Sequence, residues 1–176
     1  DHMSTLKVEN LTGITSGSNA NKILVPSGQT LDASAATLVP SAGAVIQVVT
    51  ATITSETQVT SNSLVDTGLS VSITPQFNTS KIFISVSNLG LCNATNYVIH
   101  KLLRDSTIIC GDFAYNNNNT WMPVNFAMSF LDSPATTSTI TYKTKVGASA
   151  NGDLRYNYGG DGSGSNASIT AMEIKQ

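Results

Sequence analysis

Charge is scarce in this sequence. Only 11% of its 176 residues are Asp, Glu, Lys or Arg, the formal net charge at pH 7 is -2, and the nine Lys and Arg are scattered singly from Lys7 to Lys175. A protein that grips a phosphate backbone needs its cations gathered into a stripe, so nucleic acid is not an expected partner. Long apolar runs are missing as well. No stretch approaches the roughly 20 residues with which a helix spans a bilayer, and no basic segment leads into an apolar one near the N-terminus, so neither membrane insertion nor export on a cleaved leader is expected. Two cysteines, Cys92 and Cys110, fall on separate predicted strands. They are too few for a disulfide framework and read as buried free thiols. Of the two histidines, His2 belongs to Asp1-His2-Met3, which looks like a cloning remnant ahead of a natural chain that would continue upstream.

The remaining histidine, His100, lies mid-strand between Ile99 and Lys101. A metal site or a Ser-His-Asp relay would hang on that one residue with no orienting partner in view, and a structural or inter-subunit role is the better reading. Asp105, Asp112, Asp132, Asp153 and Asp161 are read as turn residues, where a short carboxylate bonds the local backbone. Glycan cleavage needs two facing acids at a spacing set by the mechanism, and nothing pairs Asp112 with Asp153 or Asp161. The segment Asp161–Asn166 alternates oxygen donors faintly like a calcium loop, but lacks the bidentate Glu and the run of carboxylates. The expectation is therefore no enzyme, no cofactor and no metal.

What is present is strand chemistry. β-branched residues, Ser, Thr and Asn abound, which suits pleated surfaces and turns, and 176 residues suffice for one domain with a short extension. In Val124–Val146, Val124, Phe126, Met128 and Phe130 alternate with Asn125, Ala127 and Ser129; beyond Asp132-Ser133-Pro134, Ile140, Tyr142 and Val146 alternate with Thr141, Lys143 and Lys145. Period two on both sides predicts a hairpin within one sheet, with Phe126, Met128, Phe130, Ile140 and Tyr142 on one buried face. Further strands are predicted at Val45–Ile53, Leu69–Ile73, Ile82–Ser87, Tyr97–Arg104, Ile108–Cys110, Leu154–Tyr158 and Ser168–Ile174. Asp105-Ser106 is placed as a tight hairpin turn, and the five prolines are expected at breaks or in the N-terminal segment, none within a strand. The whole reads as all-β, a β-sandwich with a jelly-roll-like order.

From Ser4 to Ala44 the chain is punctuated by Gly, Pro and Ser. Leu24-Val25-Pro26-Ser27 returns fourteen residues later as Leu38-Val39-Pro40-Ser41. Such a period resembles the shaft segments of trimeric fibres, in which three chains bury the apolar residues along an axis; the other reading is a linker that echoes itself. The division expected is a remnant at 1–3, a shaft-like segment at 4–44 and a head domain at 45–176.

Several of these stretches carry a resemblance. FLDSPATTSTITYK, with KLLRDSTII at Lys101–Ile109, SITAMEI at Ser168–Ile174, LKVENLTG at Leu6–Gly13, ILVPSGQTL at Ile23–Leu31 and PSAGAVIQVV at Pro40–Val49, is similar to the C-terminal region of tail-fibre proteins of marine phages, cyanophages and their relatives. The resemblance covers nearly the whole chain, and its motifs are signatures of strands and turns. It implies a virion component assembled in the host cytoplasm, a homotrimer joined upstream to the rest of a tail fibre, and a role in host attachment.

For recognition, the sequence offers two aromatic, amide-rich stretches: Asp112–Trp121, read as a loop, and Arg155-Tyr156-Asn157-Tyr158 before a glycine-rich loop. Sugars stack their C–H faces on Tyr or Trp while amides and carboxylates bond the hydroxyls. The candidate receptor residues are Tyr115, Asn116, Asn117, Trp121, Tyr156, Tyr158 and Asp161; the competing reading packs Trp121 and Phe113 beneath the loop. The expected ligand is a host surface glycan such as lipopolysaccharide or capsule. A spacer module without a receptor site and a fibre-borne glycan-degrading enzyme are the alternatives.

Overall fold

A computed structural model describes residues 27–28, 40–93, 97–116, 120–148, 153–160 and 165–176. The chain divides into two compact units, Asp1–Val39 and Pro40–Gln176. In the first, Ser27 and Gly28 form a turn with Gly28 at φ 81°; apart from these two and residues 40–44, the shaft-like repeat lies outside the described residues.

The described residues of the second unit form ten strands: β1 (Val45–Ile53), β2 (Thr57–Val59), β3 (Val65–Ile73), β4 (Lys81–Asn93), β5 (Tyr97–Arg104), β6 (Thr107–Tyr115), β7 (Met122–Asp132), β8 (Ile140–Ala148), β9 (Asp153–Tyr156) and β10 (Ala167–Ile174). Among the described residues there is no helix. The strands form two antiparallel sheets. In the first, the 13-residue β4 pairs β7 along one edge, and β10 and then β9 along the other, with β1 beyond β10 and β2 beyond β9. The second runs β3-β8-β5-β6.

The alternation of apolar and polar side chains explains why two faces close on each other. Along β4, Ile82, Ile84 and Val86 point in while Phe83, Ser85 and Ser87 point out; along β3, Leu69, Val71 and Ile73 point in. These, with Phe126, Tyr142, Leu154, Tyr156 and Ile169, make one core between the sheets. Each buried side chain of this size contributes roughly 1.5–3 kcal/mol of transfer free energy.

Several expectations need correction. Val124–Val146 is not a hairpin: β7 belongs to the first sheet and β8 to the second, so residues 133–139 carry the chain from one layer to the other. The two alternations do share the core, but from opposite walls. Phe130 is only half-buried, because it lies toward the end of β7. Pro123 sits inside β7, which is tolerated because β7 is an edge strand and the missing N–H faces away from β4. Residues 112–115 are strand, the second half of β6, rather than loop. Asp132 is not a turn residue bonding its own backbone; it is buried at the end of β7 and pairs with Arg104 of β5. The hairpin at Asp105-Ser106 forms as expected, with Asp105 at φ 52° and its carboxylate accepting from the Thr141 N–H. Cys92 is buried and Cys110 half-buried, and neither forms a disulfide.

The sandwich has two distinguishable ends. The chain enters β1 at Val45, opposite Ile174, and the 74–80 and 133–139 connections and the Asp105 turn lie at this proximal end. At the other, distal end lie the 60–64 connection, the end of β4 and the start of β5, where Tyr97 pairs Tyr115 and Val98 pairs Ala148.

Candidate functional site

The exposed aromatic side chains Tyr97, Phe113, Tyr115 and Trp121 all stand in the distal half. They fall into two groups on opposite faces of the sandwich. On the outer face of the second sheet, Tyr97 of β5 lies directly across from Tyr115 of β6, and Ile99 across from Phe113. Phe113 is 71% exposed, so it does not pack beneath a loop. Strand alternation explains the outward aim: Val98, His100 and Ala114 take the inward positions, leaving Tyr97, Ile99, Phe113 and Tyr115 outside.

On the outer face of the first sheet, the Arg155 guanidinium lies 5.2 Å from the centre of the Trp121 ring and 5.9 Å from that of Tyr158. The cation thus bridges two aromatic faces, an arrangement favoured by the ring quadrupole. Arg155 also approaches the Glu56 carboxylate at 3.5 Å. Arg155 Nε, Asn93 Oδ1 and Asp153 Oδ1 have no hydrogen-bond partner among the described residues, and Asn93 pairs Asp153 two positions along the ladder from Leu91–Arg155. All three atoms are closed off from solvent, so none is within reach of a ligand in this conformation.

The structure therefore separates residues that the sequence suggested would act together. Tyr115 and Trp121 flank one connection but face opposite sides. Asn116, between them, is buried: its Nδ2 donates to the Thr120 carbonyl at 2.7 Å, so it braces the connection and is corrected from a receptor contact to a structural residue. Tyr156 is likewise corrected. It is 0% exposed, its ring 5.5 Å from His100 and 6.4 Å from Phe126, because β9 turns that position toward the core. Tyr158, two residues on, is half-exposed and stays in the site. Asn117 and Asp161 lie outside the described residues.

Asn157 was missed. It takes φ 60° and is fully buried; its Nδ2 donates to the carbonyls of Ile53 and Ser55 at 3.1 and 3.0 Å, and its Oδ1 accepts from Ser165 Oγ and Ala167 N at 2.8 and 3.0 Å. It ties together both ends of the excursion between β9 and β10 and so places Tyr158. The signal available was an Asn at the end of a strand before a glycine pair, since Asn tolerates the left-handed region. That excursion leaves from the middle of the sheet, where Tyr158 N donates to Leu89 O, and not from the distal tip.

Asp112 lies on β6 of the second sheet and Asp153 on β9 of the first. Burial raises the Asp112 pKa, while Lys101 acts in the opposite direction. Among the described residues no group of three His, Cys, Asp or Glu is placed to hold a metal ion, and no helix is long and apolar enough to cross a membrane.

His100 is enclosed by Phe126 at 4.9 Å and Tyr156, and both its nitrogens lack hydrogen-bond partners among the described residues. Burial pushes its pKa down from 6.5 to about 3. The unfolded chain then binds the more protons between those values, so this contribution to stability is present above pH 6.5 and is lost as pH falls toward 3. The sandwich should be about 2 kcal/mol less stable at about pH 5 than at about pH 7 from this group. Denaturant melts of the chain and of His100→Leu check this: the variant should lose most of that slope, and an unchanged slope would show that His100 is not its source.

No protein-family model matches the chain, and no curated protein sequence does. Among solved structures the chain is similar to dimeric latent PorU from Porphyromonas gingivalis, at 12% identity over 77% of this chain and 14% of that one, with a TM-score of 0.39. It is also similar to the infectious bursal disease virus Gt strain structure, at 17% identity over 86% of this chain and 43% of that one, with a TM-score of 0.29. The chain spans less than half the length of either, and likeness at that level carries no residue of theirs onto this one.

Proposed function

We propose that Pro40–Gln176 is the receptor-binding head at the distal part of a phage tail fibre, a homotrimeric virion protein whose aromatic end recognises a host surface glycan. The observation that carries the reading is the gathering of the exposed aromatic side chains in the half of the sandwich away from the point where the chain enters it. Two further features support it. With β2 and β9 set aside as short companions, β1, β10, β4 and β7 face β3, β8, β5 and β6, the eight-strand order of a jelly roll. The strand and turn motifs similar to those of marine phage tail fibres supply the virion context.

Within this reading, Trp121 is the stacking platform for a sugar ring. Arg155 and Tyr158 flank it. Loops and strand ends on a rigid scaffold tolerate the sequence change that a varying host surface demands, and three sites per fibre tip would convert weak single contacts into firm adsorption.

Trp121 is the sole tryptophan, so its emission reports on the site directly. Titration with lipopolysaccharides and capsular polysaccharides should give a saturable change in fluorescence for at least one of them. Tyr158→Ala should weaken that binding roughly tenfold, equivalent to about 1.4 kcal/mol. A flat titration across the panel, with the fold intact by circular dichroism, would favour a spacer module instead.

A further inference from the structure

Cations are missing from most of the sequence around the Trp121 cluster. Between Arg104 and Lys143 the chain has no Lys or Arg, and between Lys145 and Lys175 it has only Arg155. The other cations of the second unit stand elsewhere. Lys101, Lys143 and Lys145 take outward positions on the second sheet, Arg104 is spent on Asp132, and Lys81 and Lys175 lie beside Ile174 at the proximal end.

Arg155 is itself engaged. It takes an outward position on β9, between Leu91 of β4 and Gln58 of β2, in a row that Pro123 of β7 completes. Its Nη1 faces the Glu56 carboxylate at 3.5 Å, and its Nε is closed off from solvent. Arginine grips a carboxylate or phosphate with two parallel N–H bonds, side-on through Nε or end-on through both Nη groups, and here neither fork is whole. Asp153 takes the adjacent outward position on β9, its Oδ2 accepting from Gln58 Nε2 at 2.9 Å. Two carboxylates therefore stand around one guanidinium, which leaves the surroundings of Trp121 with a net negative charge. The neighbouring exposed side chains, Leu89 and Pro123, carry none.

We infer that the glycan taken by this cluster is uncharged, a chain of neutral or N-acetylated sugars without carboxylate, phosphate or sulfate groups, and that Glu56 sets this selectivity. The inference rests on the proposed glycan site. A neutral sugar needs only ring faces to stack on and polar groups for its hydroxyls. An acidic sugar brought onto Trp121 meets a guanidinium already neutralised by Glu56 and a second carboxylate at Asp153. Like charge met on docking is how a site rejects the wrong partner.

Trp121 emission separates the two classes of ligand. The full chain, Glu56→Gln, Asp153→Asn and a control, Asp66→Asn, are titrated with neutral O-polysaccharides and with uronate-containing capsular polysaccharides, the latter also after reduction of their carboxyl groups to alcohols. Circular dichroism establishes folding. Asp66 lies on the outer face of the second sheet, 3.7 Å from Lys143, so its replacement changes the net charge equally but away from the cluster. Wild type and Asp66→Asn should bind one or more uncharged chains, native or reduced, with acidic chains weaker by about tenfold or more. Binding of the uncharged chain should change by less than about twofold between low and high salt, because no ion pair with the ligand is there to be screened. In Glu56→Gln the acidic chains should gain at least about threefold and become salt-sensitive; Asp153→Asn should shift selectivity the same way and serves if Glu56→Gln fails to fold. Acidic chains that bind wild type as tightly as uncharged ones, or a selectivity that the folded variants leave unchanged, overturn the charge selection while leaving the glycan site standing. A flat response to every neutral, acidic and reduced chain overturns the glycan site and the charge selection together.

Discussion

Removing the Asp132 carboxylate should lower stability by about 3–5 kcal/mol, because it takes the acceptor from the half-buried Arg104 guanidinium and from the fully buried Tyr142 hydroxyl at once. Asp132 ends β7 in the first sheet and is 7% exposed. From the second sheet, Arg104 Nη1 of β5 lies 2.9 Å from both carboxylate oxygens, and the Tyr142 hydroxyl of β8 donates to one of them at 2.7 Å. Three strands from two layers thus meet on one carboxylate at the proximal end. Burial, and then the bond to Asp132, raise the Tyr142 pKa, so the phenol remains a donor at any ordinary pH. Asp132→Ala leaves Arg104 and a fully buried hydroxyl without their acceptor. Its Tm should fall by roughly 10 °C, at about 2–4 °C per kcal/mol for a chain of this size. In a double-mutant cycle with Arg104→Ala, the two losses should sum to well over the loss in the double variant. A single-variant loss below about 1 kcal/mol, the range of exposed pairs, would show that the clamp is solvated.

Phe126→Ala should cost a similar amount, about 3–5 kcal/mol, through lost transfer free energy and the cavity left behind. Phe126 is buried on β7 with its ring 4.9 Å from His100 and 6.4 Å from Tyr156, which brings side chains of both sheets into one aromatic cluster. Gly90 on β4 leaves room for it; a Cβ there would stand 3.3 Å from Phe126 Cε2. Phe130→Ala should cost clearly less, because Phe130 is half-buried. Denaturant melts of the two variants order them, and a larger loss for Phe130 would contradict the burial described.

Much of the sandwich was legible because alternation is a local property. Which residues of β7 and β8 point inward followed from period two, save that Phe130 is half-buried, and the Asp105 turn followed from its neighbours. What period two does not carry is the identity of the opposite wall: β7 and β8 alternate equally well as a hairpin or as strands of two sheets, and the hydrogen-bonding partners that decide, β4 for one and β3 and β5 for the other, are distant in sequence. Asp132 was misread for the same reason, since Arg104 lies 28 residues away. At the candidate site, residue type picked out Tyr115, Trp121 and Tyr158, which the fold leaves exposed or half-exposed. It failed at Asn116 and Tyr156, where an amide and a phenol typical of sugar sites instead satisfy a connection and fill the core. Arg155 escaped notice as a site residue because its value comes from standing between two rings that meet only in the fold.

Adsorption of the full chain to a panel of bacterial cells, compared with Trp121→Ala, Tyr115→Ala and the core-neutral control Ser72→Lys, reports whether the distal aromatic side chains bind host glycan as proposed. Adsorption to a subset of the panel is expected, unchanged in Ser72→Lys and reduced at least tenfold in Trp121→Ala. Adsorption by folded Trp121→Ala and Tyr115→Ala that equals the wild type would contradict the proposal.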